Sequence, residues 1–263
     1  MRDPAVAGQF YPRNGAELKH QLDEMLANGA QELPVLGAVA PHAGYMYSAA
    51  VAAEVYACMP KRETYVIIGP NHHGLGAPVA LSRESWKTPL GIVNGDLELA
   101  DALAGSIIDS DELAHRQEHS IEVQIPFLQV KFQEFMILPI SMGLQDEETA
   151  AEVGELLGKA LLRLGRSAAV IASSDFTHYE AQELARKVDA QLIEAILNMD
   201  VPELYRRIYG HNATACGYGP IAAAITAASV LGASKGKLLR YATSGDVSGD
   251  YSQVVGYGAM VFT

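Results

Sequence analysis

Cysteine is nearly absent from this chain: Cys58 and Cys216 are the two among 263 residues. That excludes a disulfide framework, and with it the usual stapling of small secreted domains. Positive charge is also scarce. Lys and Arg total 19 against 31 acidic residues, a formal charge of −12, which argues against a broad surface for nucleic-acid backbones or anionic lipid. No apolar run reaches the roughly 20 residues of a spanning helix. Met1-Arg2-Asp3-Pro4 lacks the basic-then-apolar pattern of a signal segment. These absences predict a cytoplasmic protein with no membrane or nucleic-acid partner. Low-complexity tracts, fixed-period repeats and Pro/Ser-rich linkers are missing too, so residues 1–263 read as a single domain.

What is present is an ordinary globular composition, 49% apolar and 19% charged, enough to build a full core. Six short apolar runs read as buried strands: Val35–Ala40, Tyr65–Gly69, Phe135–Ile140, Ala168–Ala172, Leu238–Ala242 and Gln253–Val261. The last, interrupted by Gly256 and Gly258, is expected near a sheet edge. Helical periodicity covers Ala16–Leu26 with Asn28-Gly29 as its stop, a stretch from a Ser48 cap to Cys58, Asp146–Leu164, Ala181–Leu197 and Gly219–Leu231. Ile121–Val130 is a further helix, kinked or late-starting because of Pro126. Strands alternating with helices predict an α/β layered fold, a mainly parallel central sheet flanked by helices. The small-residue run Ala222–Ala228 is a candidate dimer face.

The polar residues that follow the strands carry the chemistry. Pro41-His42-Ala43-Gly44-Tyr45, Pro70-Asn71-His72-His73-Gly74 and Ser173-Ser174-Asp175-Phe176-Thr177-His178-Tyr179 each leave the end of a buried run, and open α/β sheets bind ligands outside the carboxyl ends of their strands. His119, in Glu118-His119-Ser120, joins this set. Adjacent His72 and His73 cannot project the same way from extended backbone, so one ligand is expected from the pair. Cys216 precedes the apolar run Ile221–Leu231, where a helix dipole favours thiolate. Cys58 reads as core, and His20 and His115 carry no assigned role. Three chemistries fit: a metal site of neutral histidines and a thiolate, a Cys216 nucleophile paired with a histidine, and a phosphate site, for which Gly217-Tyr218-Gly219-Pro220 is a poor loop. The number of histidines at strand ends favours metal, and a bound cation would supply the positive charge the chain lacks.

Ala40-Pro41-His42-Ala43-Gly44-Tyr45, Gly69-Pro70-Asn71-His72-His73, Glu118-His119-Ser120-Ile121-Glu122, Ser173-Ser174-Asp175-Phe176-Thr177-His178 and Ala215-Cys216-Gly217 resemble, in this order, the motifs of the Memo family. That family is distantly similar to the class III extradiol ring-cleaving dioxygenases, non-haem iron enzymes. The resemblance implies His42, His72 and Cys216 as metal ligands and His178 as the acid–base residue, with Asp175 orienting the cluster. It implies His119 as a pocket histidine that helps hold substrate or oxygen, and Tyr45 and His73, on the same strand-end loops, are expected as further substrate contacts. Iron(II) is the implied cofactor, with copper or zinc admitted by the thiolate, which stands where the dioxygenases have a Glu. The ligand is a small phenolic or anionic molecule. If the site turns over, it does so as a dioxygenase-like oxidoreductase; otherwise the same pocket serves a non-enzymatic metal- or phospho-ligand-binding module. The resemblance also brings a functional link to a radical-SAM protein in prokaryotes.

Overall fold

All six expected strands form, and the parallel centre follows from their two-sided burial. In the computed structural model, which describes residues 1–27 and 29–263, the strands are β1 (Gly37–Ala40), β2 (Thr64–Pro70), β3 (Val79–Leu81), β4 (Trp86–Thr88), β5 (Gly91–Gly95), β6 (Asp109–Ser110), β7 (Met136–Met142), β8 (Ala168–Ser173), β9 (His178–Glu180), β10 (Gly236–Thr243) and β11 (Val254–Phe262). The main path runs β10-β11-β1-β8-β2-β7-β3-β6. Neighbours β1, β8, β2 and β7 are mutually parallel, with Val39 opposite Ala172 and Ile67 opposite both Ile171 and Pro139. Antiparallel β11 and β3 flank that centre. β11 is second from the edge, covered by β10 and touched by β9.

Helices α1 (Gly15–Leu26), α2 (Tyr45–Cys58), α3 (Leu97–Ala102), α4 (Ile125–Lys131), α5 (Glu147–Leu164), α6 (Gln182–Leu197), α7 (Val201–His211), α8 (Tyr218–Val230) and α9 (Gly245–Ser248) complete the described elements, with 3₁₀ turns at Glu112–Ala114 and Glu122–Gln124. Alternate strand residues face opposite layers. Ala38, Ile67 and Ile171 meet Leu22, Val51 and Phe127 of α1, α2 and α4. Val39, Val66 and Val170 meet Leu99, Val153, Ile193 and Ile225 of α3, α5, α6 and α8. The result is a helix–sheet–helix sandwich, as the alternation of elements predicts. Among the described residues, no helix is long and apolar enough to cross a membrane.

Several local expectations need correction. Ser48 does not cap α2: the helix starts three residues earlier from Gly44, and the Ser48 hydroxyl donates to the Ala43 carbonyl inside the first turn. Pro126 sits in the first turn of α4, where its missing N–H costs nothing, so the helix is late-starting. Asn28, half of the expected stop after α1, lies outside the described residues. The small-residue face of α8 is buried within the chain. A Cβ on Gly154 of α5 would stand 2.5 Å from the Ala223 carbonyl oxygen and 2.6 Å from the Thr226 Cβ. Ala222–Ala228 thus serves close helix–helix packing and leaves little to a dimer.

Candidate metal centre

Because β1, β8 and β2 are adjacent and parallel, the segments leaving their carboxyl ends converge. Pro41-His42 exits β1, Ser174-Asp175 exits β8 and Asn71-His72-His73 exits β2. The 115–122 segment packs over the end of β2, where a side chain on Gly69 would collide with Ser120. Gly217, before α8, approaches the end of β8 closely enough that a Cβ would lie 2.6 Å from the Ser173 carbonyl oxygen. These close approaches bring Cys216, Glu118 and His119 to the strand ends.

One ring nitrogen each from His42, His72 and His119 lies within 4.8 Å of the others, a group that can hold a metal ion. The ring centroids of His42 and His72 are 5.2 Å apart and nearly perpendicular, while His72 and His119 stack at 4.6 Å. His73 is exposed and joins a second group with Glu118 and His119; His72 and His73 fall in different groups, although they sit in a bend closed by Asn71 and not on extended backbone.

The hydrogen bonds fix which nitrogens are bare. Ser173 Oγ donates its hydrogen to the Ser120 carbonyl (2.6 Å) and accepts from Gln124 Nε2 (2.7 Å). Its 3.0 Å contact with His42 Nδ1 must therefore be Nδ1–H donating. The His42 Nε2 lone pair faces Cys216 Sγ, 3.2 Å away. Glu118, fully buried, accepts from the His72 Nδ1 (2.9 Å) and the His72 backbone N–H (2.7 Å), and from the N–H groups of His119 and Ser120, both at 2.9 Å. Burial alone would push this carboxyl up, but the His72 hydrogen bond, with the backbone donors, holds it well below the usual range. Glu118 is thus an anion and can only accept, so His72 Nδ1 is the donor, and the neutral tautomer of this ring is the one with Nε2 bare. His178 donates Nδ1–H to the Thr214 carbonyl at 2.9 Å, leaving its Nε2 as an acceptor.

Burial and the neighbouring histidines press the His42 imidazole well below its ordinary value. Burial lowers His119 to about 4, with Glu118 opposing the shift and His72 adding to it. Both rings are neutral at neutral pH, the ligating form. Asp175 Oδ1 accepts the His42 backbone N–H at 2.8 Å, and burial raises its carboxyl to about 6. Cys216 departs from the sequence expectation. Burial and the Asp175 charge push its thiol up, so the helix dipole does not by itself produce a thiolate; its Sγ accepts the Asp175 N–H at 3.3 Å. A resting thiol is a poor nucleophile.

Tyr45, expected among the substrate contacts, points elsewhere: its hydroxyl donates to the Val123 carbonyl (2.7 Å) and its ring packs on Tyr11 and Phe127 in the core. Trp86 is buried beneath Arg2, away from the pocket. His115, which carried no assigned role, is fully buried with Nε2 3.1 Å from the Ala80 carbonyl. The supporting residues Glu118, Ser173 and Gln124 had no role assigned from sequence. For Glu118 a signal existed, an acid beside a candidate histidine; Gln124 offered none.

A profile of the Memo-like protein family matches residues 2–261. The chain belongs to the Memo-like family. Its Memo-like relatives include MEMO1 family proteins of Methanosarcina mazei, 58% identical over 99% of this chain and 98% of the relative, and of Archaeoglobus fulgidus, 49% identical over 100% and 99%. The Methanocaldococcus jannaschii member is 46% identical, covering 99% and 98%. An uncharacterized protein from Escherichia coli K12 shares the fold at a TM-score of 0.56 and 10% identity, over 86% of this Memo-like chain and 98% of that one.

Proposed function

We propose that this Memo-like protein is a metal-binding protein with His42, His72 and Cys216 as ligands. The resident ion is iron(II), with copper and zinc as competitors, and the pocket takes a small phenolic or anionic molecule for oxidoreductase chemistry. The observation that supports it most is the matched commitment of Nδ1 on His42 and His72, to Ser173 and Glu118, which leaves two bare Nε2 atoms. A metal-bound histidine characteristically spends its other nitrogen on a carboxylate, carbonyl or hydroxyl group in this way.

An ion at this position supplies Lewis acidity to a bound hydroxyl group and, as iron, redox chemistry. The chain supplies the rest. His178 Nε2 takes a proton from the substrate hydroxyl, its tautomer set by Thr214. Asp175 pins the His42 backbone and so the ring's place at the end of β1. His119, packed against the His42 and His72 rings, faces the ligand, with exposed His73 at the outer side of His119. To hold the ion Cys216 would have to release its thiol proton to solvent, and the cation's positive charge would oppose the effect of burial and Asp175.

The test is anaerobic loading with iron(II) and copper(I), with stoichiometry, on wild type and Cys216→Ser, followed by oxygen uptake across a catechol panel. One tight equivalent in wild type, weakened in the variant, is expected. No binding of either ion overturns the metal reading, and binding without oxygen uptake overturns the oxidoreductase part.

A further inference from the structure

A buried polar network ties residues 2–11 to the 115–122 segment. Arg2, 5% exposed, donates Nε–H to the His115 carbonyl (2.7 Å), Nη2–H to the Glu118 carbonyl (2.6 Å) and Nη1–H to Glu122 Oε2 (2.7 Å). Its guanidinium lies 4.0 Å over the Trp86 ring. Glu122, fully buried, also accepts the N–H groups of Ala5 and Val6 at 2.8 and 3.1 Å and the Tyr11 hydroxyl at 2.6 Å. The same stretch then reaches the pocket. Phe10 sets its ring 4.7 Å from His119, and its carbonyl accepts the N–H of Tyr45, three residues beyond His42.

We infer that residues 2–11 are a positioning strap for the pocket, with Arg2 fixing the backbone of Glu118 and His119 and Phe10 fixing the His119 ring. The transmission is short. Arg2 holds the Glu118 carbonyl, and the Glu118 carboxylate holds both nitrogens of His72, backbone and ring. A guanidinium suits the task because its planar fork reaches separate acceptors while stacking on an indole; a lysine keeps the charge but neither the fork nor the stack. Supporting groups of this kind matter because a ligand set displaced by a fraction of an ångström loses much of its affinity. The competing view, that the strap merely staples the chain, predicts lost stability and an unchanged pocket.

The experiment compares wild type, Arg2→Lys, Arg2→Ala, Tyr11→Phe and Phe10→Leu by histidine ring nitrogen NMR of the metal-free protein and by cobalt(II) titration. The Arg2 variants are expected to move the His72 and His119 resonances, leave His20 in place, and weaken cobalt(II) about ten-fold or more. Tyr11→Phe, which removes one donor to Glu122 and none to the backbone of the 115–122 segment, is expected to lower Tm without either change. A folded Arg2→Lys with wild-type resonances and affinity overturns the inference. If neither Arg2 variant folds, Phe10→Leu decides: a displaced His119 resonance supports the strap, and an unmoved one overturns it. The cobalt readout rests on the metal reading, but the resonances do not. Wild type that binds no cobalt, with resonances displaced in Arg2→Lys, refutes the metal reading and leaves the strap standing.

Discussion

Replacing Glu118 by Gln keeps the shape of the side chain and removes its charge, and its effect follows from the four donors around it. With the amide oxygen in the Oε1 position, three donors remain served, but the amide NH2 then faces the His72 backbone N–H, which the carboxylate had accepted at 2.7 Å. One charge-assisted bond disappears, worth about 1.5–3 kcal/mol, and two buried N–H groups are left opposed; a total near 3–4 kcal/mol is expected. For a chain of this size that is a fall in Tm of about 10 °C. Metal affinity should drop about 10–100-fold, because His72 loses the partner that orients it and raises its basicity. The pH dependence has a definite sign. The folded Glu118 carboxyl lies below its unfolded value of about 4.3. Its stabilising contribution is complete above that value and is lost as pH falls through the folded one, so the gap between wild type and Glu118→Gln should be steady from pH 7 to about 5 and close in stronger acid. Thermal melts of metal-free protein across pH, with cobalt(II) titration at neutral pH, check both parts. A variant melting within about 2 °C of wild type at pH 7 would refute the reasoning.

His115 adds a second limb of the same sign, at higher pH. Burial, with Arg2 adding to it, lowers its imidazole to about 4; its neutral form is favoured on folding, so stability falls as pH drops from about 6.5 toward 4, by roughly 3 kcal/mol at most. His115→Leu should flatten that limb in Tm-against-pH curves, and an unchanged slope would count against the assignment. Gly154→Ala should cost about 1–3 kcal/mol by overpacking α5 on α8, while leaving metal affinity untouched in a parallel titration. Cys216 in metal-free protein should react with a thiol alkylator at pH 7 more slowly than a free thiol, since burial and Asp175 favour the protonated form; faster labelling would restore the nucleophile reading.

The central strands were legible because a strand covered on both faces must be apolar throughout, as Thr64–Pro70 and Ala168–Ser173 nearly are. The strands that escaped, β3, the β4–β5 hairpin, β6 and β9, are two to five residues long, too short for periodicity to register. Helix α7 carried a readable signal in Asp200-Val201-Pro202-Glu203: Asp200 accepts the Glu203 N–H, with Pro in the first turn. At the site, the histidines showed because chemistry collects where parallel strands end. Their supports did not show. Ser173 meets His42 across 131 residues of chain and Glu118 meets His72 across 46, and nothing local distinguishes such a serine from one that bonds its own turn. The thiol of Cys216 misled because the helix dipole is visible in sequence, whereas the burial that outweighs it belongs to the fold.

The central claim is that the strand-end histidines and Cys216 bind one metal ion. Its most direct test is anaerobic metal stoichiometry on wild type beside His42→Ala. The account predicts one equivalent of iron(II) or copper(I) in wild type and loss of that equivalent in the variant, with Tm of the loaded wild type raised. Wild type that takes up neither ion, or a His42→Ala protein that binds as much and as tightly, would contradict it.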